Sequence, residues 1–531
     1  MVKADRLAWI APWLAPLGVA VVGTALGAWR LMPGVGYWDT AEFQTVPPIF
    51  GTAHPTGYPT YVILGWLASF VLAPFGEAAF RMNLLSAIFV GIAAGVTVDL
   101  TRRLAGSMFV GVVAGLGLAA TPIVWRIATH ADPHALHLTF VAILVWLLVR
   151  WEEARRSGPD RADRWLLAAA VVSGLSAGNH SLTLLLALPI ALYVLAVEPA
   201  IVGRGRFFVA CALAVIVPTI LVYLQLPLRG GAIPGLEADL VYGSPDTLAG
   251  FAYVVTGEQF RGGINDPFGN LPGKVADLAG LAASEVGARA ILVPVGLFVT
   301  AVRFPAYALL SGTTLAITCF FNAAYVNADI ERYYLGPALV AWTWLAILAA
   351  TVVDGIAGTS PIEDEPAGGE PPPRRLLALI DPVRLTASAL AAALLIAPTV
   401  VAFPDRAAAV DRTTDRSAEL WLDDVLASLE PNAVVVSWWS YSTSLWYAQH
   451  VQGRRLDVFV VDDRTRLDLN LGEVTDVIDS NLANGRPVYA IRVDTAELLM
   501  LQARYQLAPL GSPVAGNVFR VTPLASGMTA P

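Results

Sequence analysis

The chain has 531 residues, 56% hydrophobic and 14% charged, with a formal net charge of −8 and a mean hydropathy of +0.61. A soluble domain carries roughly 25% charged residues, so this composition excludes one, and the acidic balance gives no sign of nucleic-acid binding. Cys211 and Cys319 both lie in apolar runs, which suggests no disulfide framework and leaves the redox compartment unread.

The first apolar run follows Lys3 and Arg6 and has no small-residue cleavage site before Pro33, so it reads as a retained span rather than a signal peptide. Apolar runs of about 20 residues, enough to cross a ~30 Å hydrocarbon core, recur from Leu7 to Phe403. Basic residues in short loops collect on the cytoplasmic side. The clusters Lys3/Arg6, Arg102/Arg103, Arg150 to Arg164, Arg204/Arg206, Arg303 and Arg374/Arg375/Arg384 fall on one side of a consistent map. The spans are then Leu7–Arg30, Phe80–Leu100, Phe109–Trp125, Leu136–Arg150, Trp165–Ala177, Leu182–Val197, Phe207–Leu226, Ala290–Val302, Pro305–Phe321, Tyr334–Val353 and Leu385–Val401. About eleven crossings put the amino terminus in the cytoplasm and the carboxyl terminus outside a plasma membrane. Thr60–Gly76 is apolar too, but counting it as a span would carry Arg102, Arg103 and the Arg150 to Arg164 loop outside. It is therefore expected to lie at the interface or to re-enter; an ordinary span that breaks the charge rule is the alternative.

Five polar clusters land on the outer face, where polar groups at membrane depth are usually kept for a task. The first, "YWDTAEFQTVPPIFGTAHPTGYP" (Tyr37–Pro59), opens an outer loop spanning 31–81. Asp39 and Glu42 are three residues apart, so one helical turn sets both carboxyls on one face, where they can act as a general base and its partner, bind a metal, or serve as a cap and a solvated acid. His54 and Tyr58 lie in "AHPTGYP", stiffened by Pro55 and Pro59 and turned at Gly57; both are candidates to bind substrate, with simple loop capping the plainer role for His54. The second and third clusters are "WRIATHADPHALH" (Trp125–His137) and "GNHS" (Gly178–Ser181), supplying Arg126, Asp132, His134 and His180. The spacing of His134, His137 and His180 matches no helical His-x-x-x-His pattern, so zinc is not expected. The last two are the Pro227–Arg289 loop and "NADIERYY" (Asn327–Tyr334), with Arg229, Arg261 and Arg332. Each arginine alone reads as an interfacial snorkeller, but an arginine fork suits phosphate, and together they fit a lipid phosphate.

The cytoplasmic stretch 354–378 reads as a linker rich in Pro, Gly and acid. Beyond Phe403, short apolar strands at Ala433–Ser437, Asp457–Val461 and Pro487–Arg492 alternate with helix-like stretches. That pattern predicts a small extracytoplasmic α/β domain over 404–531 with a partly parallel sheet, behind a membrane domain over 1–403.

These blocks resemble the domain of unknown function 2723 family, also classed as family 117 glycosyltransferases and related to animal protein O-mannosyltransferases. Tyr37–Pro59 is similar to its "YWDsgEf…HPPGYP" signature and "RMNLLSAIFVGIAAG" (Arg81–Gly95) to its next block. Further likeness lies in Gly174–Leu186, Leu226–Arg261 and Trp446–Val461. The resemblance implies a mainly α, polytopic GT-C-type glycosyltransferase whose first outer loop carries a catalytic acid and a membrane-lying helix. It also implies a polyprenyl-phosphate mannose donor and a protein Ser/Thr acceptor. The chain departs from the family at Thr56, at Asp132 and His134 within "DPHALH", and at "SWWSYSTSLWY" (Ser437–Tyr447), where an acidic element is expected. These departures bear on donor and acceptor specificity.

The expected reaction is inverting transfer at the extracytoplasmic face, with Asp39 as general base, Glu42 as its positioning partner, and arginines with His54 or His180 holding the departing lipid phosphate. No cofactor is demanded, although Asp39, Glu42 and Asp132 offer oxygen ligands for Mg²⁺ or Mn²⁺. The rivals are the same scaffold acting on a cell-envelope glycan or lipid, a transporter or flippase using the acids as proton relays, and a non-catalytic scaffold. Against transport stand the position of the acids in an outer loop and the lack of an inverted repeat in the hydropathy.

Overall fold

The structure, a computed structural model, describes residues 2–327, 329–358, 381–512 and 514–524. The expected linker over 354–378 lies outside the described residues from 359 onward.

Among the described residues, eight helices are long and apolar enough to cross a membrane: Pro12–Trp29, Ala78–Ala105, Pro133–Ser157, Gly205–Gly230, Leu271–Arg303, Pro305–Ala324, Ile330–Ala357 and Pro382–Val401. All the expected crossings fall on helical segments, but three are short, broken or charged. Phe109–Trp125 divides into Met108–Ala119 and Pro122–Ile127, because Pro122 has no N–H to continue the first helix. Trp165–Ala177 belongs to Pro159–Ala177, whose first turns carry Asp163 and Arg164. Leu182–Val197 opens as a 3₁₀ turn, Ser181–Leu186, before the helix Ala187–Val197. The expected span Ala290–Val302 is the end of a longer apolar run, Leu271–Arg303.

Close approach of small residues joins the first helix, Val2–Trp29, to Ala78–Ala105. A Cβ on Gly91 would lie 2.1 Å from Thr24 Oγ1, and one on Gly95 would lie 2.6 Å from the Pro16 carbonyl oxygen. Inside a bilayer, van der Waals packing of this kind replaces the hydrophobic drive between helices. Ala78–Ala105 and Pro133–Ser157 are the most enclosed of the long helices, and the start of each lies at the polar cluster described below.

Two short helices cover that end of the bundle. Trp38–Ile49 begins the first loop and stops one turn after Pro47 and Pro48, at Phe50 in the left-handed region. Pro59–Val71 follows; its 13 residues reach about 20 Å, short of the ~30 Å core. Tyr61, Val62 and Gly65 face inward while Leu67, Phe70 and Val71 are exposed.

The C-terminal segment holds a five-stranded sheet, β1 (Val434–Val436), β2 (Phe459–Val461), β3 (Val488–Ile491), β4 (Tyr505–Pro509) and β5 (Val518–Pro523), in the order β2-β1-β3-β5-β4. β1 pairs in parallel with β2 and β3, and β5 runs antiparallel to β3 and β4. The three expected strands form the parallel half. β4 and β5 are additional: their alternating Gln506 and Arg520 mark half-exposed strands rather than the continuous apolar runs of β1 and β3.

Because Gly91 has no room for a side chain, Gly91→Val should lower the thermal unfolding temperature in detergent, an overpacking cost of ~1–3 kcal/mol. Gly355→Ala, with nothing within 4 Å of the added carbon, should leave it unchanged.

Candidate active site

The short helix Trp38–Ile49 sets Asp39 and Glu42 one turn apart on a common face. Gln44 on the same helix accepts the Gly36 N–H at 2.8 Å and donates to Asn83 Oδ1 at 2.8 Å. Asn83, on Ala78–Ala105, also accepts the Ala131 N–H at 2.8 Å and donates to the Met32 carbonyl at 2.9 Å. One turn on, Ser86 Oγ accepts the Asp132 N–H at 3.0 Å. A single buried face of one membrane helix therefore holds the first loop and the 129–132 turn in register.

Glu42 is 2% exposed. One of its oxygens accepts the His54 backbone N–H at 2.7 Å, and the other bonds His54 Nδ1. Burial pushes the Glu42 carboxyl up, against the pull of His54. Burial works against charge on His54, but the Glu42 and Asp39 carboxylates outweigh it and raise the imidazole. The two side chains hold a proton between them. Tyr58 reaches His54 Nε2 at 3.3 Å, and burial keeps its phenol well above the ordinary value. Asp39 differs: its side chain is 35% exposed, and it accepts the Trp439 indole N–H at 2.9 Å and faces Arg332 at 3.9 Å. Of the two acids only Asp39 is open to an incoming hydroxyl.

The opposite wall is built on Asp132, whose side chain is 1% exposed. It caps Pro133–Ser157 by accepting the His134 backbone N–H at 2.8 Å, and it bonds His134 Nδ1 at 2.7 Å. Arg332 lies 3.5 Å away and His130 Nε2 3.8 Å. Burial alone would raise Asp132, but the His134 imidazole and Arg332 hold it well below the usual carboxylate range. His180 joins this wall with its ring 4.7 Å from His134, 5.6 Å from Tyr58 and 5.7 Å from Tyr333, while Tyr333 stacks on His134. The "GNHS" turn is pinned there because Asn179 donates to the Pro133 carbonyl at 3.1 Å and the Thr60 N–H donates to Gly178 O at 2.9 Å. Burial, together with His134 and His137, keeps His180 well below the ordinary imidazole value, so it stays neutral.

Arg332 is held loosely. Its contacts to Asp39, Asp132 and Asp329 are 3.9, 3.5 and 3.4 Å, and its Nε is buried without a hydrogen-bond partner among the described residues, as is His134 Nε2. The other arginines take different places. Arg126 pairs with Glu331 at 3.0 Å on the rim. Arg229 donates to the Phe50 and Leu236 carbonyls at 2.8 and 2.6 Å, and Arg261 to Thr256 Oγ1 at 3.0 Å. Among the described residues neither Arg229 nor Arg261 makes an ion pair with the acids.

For a cation, Asp39, Glu42 and His54 each offer one atom within 4.8 Å of the others, a mixed carboxylate and imidazole set that fits Mn²⁺ better than Mg²⁺, which prefers oxygen alone. Glu42 and His54 Nδ1 are already bonded to each other, so an ion would have to part them. Asp132, expected to complete such a set, turns instead to His134 and Arg332. The site also includes Gln44, Asn83, Ser86, Tyr333 and Trp439, which were not singled out from the sequence. Asn83 and Ser86 interrupt an apolar run, a readable signal; Trp439 lies 400 residues from its partner Asp39 and gives none.

A family model described as the N-terminal domain of protein O-mannosyl-transferase TMEM260 matches residues 39–201. Protein O-mannosyl-transferase TMEM260 of Mus musculus is 34% identical over 177 residues, 33% of this chain. That match spans 23% of the mouse protein's length. ArnT from Cupriavidus metallidurans in the apo state superposes with a TM-score of 0.57 at 14% identity, over 97% of this chain and 98% of that one. The Archaeoglobus fulgidus oligosaccharyltransferase tethered with an acceptor peptide superposes with a TM-score of 0.54 at 13% identity, over 98% of this chain and 75% of that one. The chain thus has the GT-C-type fold, a helical membrane bundle with a small C-terminal sheet. The matched stretch takes in Asp39 to His180, while Arg332 and Trp439 lie beyond it.

Asp132→Asn leaves Arg332 and His134 without their buried anion and should cost about 3–5 kcal/mol of stability. Because the folded carboxyl is depressed, its contribution is complete above the unfolded value of about 3.9. The loss of unfolding temperature in the variant should be the same at pH 7 and pH 5. A loss that shrinks between those two values would show that Asp132 is not held in its charged form.

Proposed function

We propose that the chain is a membrane glycosyltransferase that moves mannose from a polyprenyl-phosphate donor to a protein Ser/Thr hydroxyl at the extracytoplasmic face, with inversion at the sugar carbon. The carrying observation is the pairing of a half-open carboxylate, Asp39, with a loosely held arginine, Arg332, within one cluster of polar side chains at one end of the bundle. The match to the N-terminal domain of a protein O-mannosyl-transferase begins at Asp39 and supports the same reading, as does the GT-C-type fold.

In this reading the Asp39 carboxylate takes the proton of the acceptor hydroxyl as that oxygen bonds to the sugar C1. The bond from C1 to the phosphate oxygen breaks, and polyprenyl phosphate leaves with one more negative charge. Arg332, with His134 Nε2 and a neutral His180 beside it, meets that charge, as prearranged donors do wherever charge develops. Protonation of Asp39 at the same moment weakens its hold on Arg332. Glu42 fixes His54 by two hydrogen bonds and sets the floor beneath the acceptor. The helix Pro59–Val71, exposed along Leu67, Phe70 and Val71, suits a membrane-lying element that leads the lipid to the pocket. Placing the amino terminus in the cytoplasm and 404–531 as an outer domain rests on the loop charges.

With membranes supplied with labelled polyprenyl-phosphate mannose, Asp39→Asn should lower turnover by about 10²–10⁴, and Glu42→Gln by less. Unchanged transfer by Asp39→Asn would remove it as the base. Label should appear in protease-sensitive glycopeptide; label in glycolipid instead would move the acceptor to the cell envelope. Transfer should persist in EDTA, whereas loss restored by Mg²⁺ or Mn²⁺ would recast Asp39, Glu42 and His54 as ligands.

A further inference from the structure

We propose that Trp439, carried by the C-terminal α/β segment, is a positioning residue for the Asp39 base, so that the reaction needs this segment as well as the membrane helices. The inference rests on the reading of Asp39 as general base.

An indole N–H only donates. Trp439 Nε1 lies 2.9 Å from Asp39 Oδ1 and is the one short contact that carboxylate makes among the described residues, since Arg332 stands 3.9 Å from the other oxygen. A donor on Oδ1 restrains the carboxylate's rotation and occupies one lone pair of that oxygen, which biases the acceptor's proton toward Oδ2. Without it, a carboxylate 35% exposed turns freely and meets the hydroxyl in fewer productive orientations.

Trp439 is held rigidly enough for that task. Its ring packs edge-on against His54 at 5.6 Å, Tyr242 at 5.8 Å and Trp446 at 5.7 Å. Its helix, Trp439–Trp446, is fastened to both ends of the first outer loop: Ser444 Oγ donates to the Gly36 carbonyl at 2.7 Å, and Tyr447 just beyond it accepts the Ala79 N–H at 3.1 Å. Tyr37, the residue before the Asp39 helix, packs edge-on against Tyr441 at 5.3 Å and Trp421 at 6.1 Å. From the sheet side, Arg464 sits over Tyr242 at 4.7 Å and Tyr253 at 4.8 Å and donates to the Tyr253 hydroxyl at 3.1 Å. The neighbouring Trp438 provides a contrast within the same turn, because its indole N–H is buried with no partner among the described residues.

The test uses the full chain in membranes with labelled polyprenyl-phosphate mannose. Trp439→Phe removes the N–H and keeps most of the ring. It should lower kcat roughly 10- to 100-fold, as loss of a hydrogen bond to a charged group does, with acceptor KM unchanged. The acid limb of its pH–rate profile should move to higher pH, because removing a donor disfavours the carboxylate. Trp439→His, which restores a ring N–H, should recover part of the rate, and Trp438→Phe should match the unaltered protein in rate and profile. Should Trp439→Phe fold poorly, benzothienylalanine at 439, which exchanges only N–H for sulfur, should show the same loss. Unaltered kcat and pH profile in either replacement, with Asp39→Asn inactive, would overturn the inference while leaving the base in place. Full activity in Asp39→Asn would instead overturn the reading on which it rests.

Discussion

Burying carboxylates at the rim of a bilayer is tolerable only when each has a partner, and the polar end of this molecule is organised around that requirement. An unpaired buried charge costs several kcal/mol or is neutralised by a shifted protonation equilibrium. Asp132 meets the requirement with His134 and Arg332, and Glu42 with His54. Asp39 is the exception because it keeps access to solvent and takes only one firm hydrogen bond. Asp132 and Glu42 are buried with close partners, so among the three acids Asp39 is the one whose side chain stays partly open to solvent.

That division depends on elements far apart in the chain. Asn83 and Ser86 join the first loop to the turn that carries Asp132. The "GNHS" turn docks on Thr60 and Pro133. Arg332 enters from the start of the helix Leu335–Ala357, and Trp439 from beside the sheet. A cluster drawn from so many segments has one side anchored in membrane helices and another in the C-terminal segment.

Much of this was legible in the sequence because apolar runs and polar interruptions are local signals. The helical segments, the pairing of Asp39 with Glu42 on one turn, and the parallel strands β1 to β3 follow from hydropathy and spacing. Asp39, Glu42, His54, Tyr58, Asp132, His134, His180 and Arg332 do lie in one contiguous cluster of contacts. Arg229 and Arg261 illustrate the limit: both are expected near phosphate from their charge, and the structure places them apart from the Asp39 cluster, donating to Phe50, Leu236 and Thr256. Composition cannot tell an arginine that braces a loop from one left with unfilled donors. Likewise about eleven crossings are expected where eight helices among the described residues are long and apolar enough to cross, since hydropathy does not register the breaks at Pro122 and His180, and β4 and β5 carry too much polar alternation to stand out. Trp439 had no local signature, since its role arises only from tertiary contact with Asp39.

The most direct measurement is an experimental structure of the protein in lipid with a non-transferable polyprenyl-phosphate sugar bound. The phosphate should lie within hydrogen-bonding distance of Arg332 and His134, with the sugar C1 facing Asp39. A phosphate seated instead on Arg229 or Arg261, with Asp39 remote from the sugar, would contradict the assignment of donor and acceptor sides.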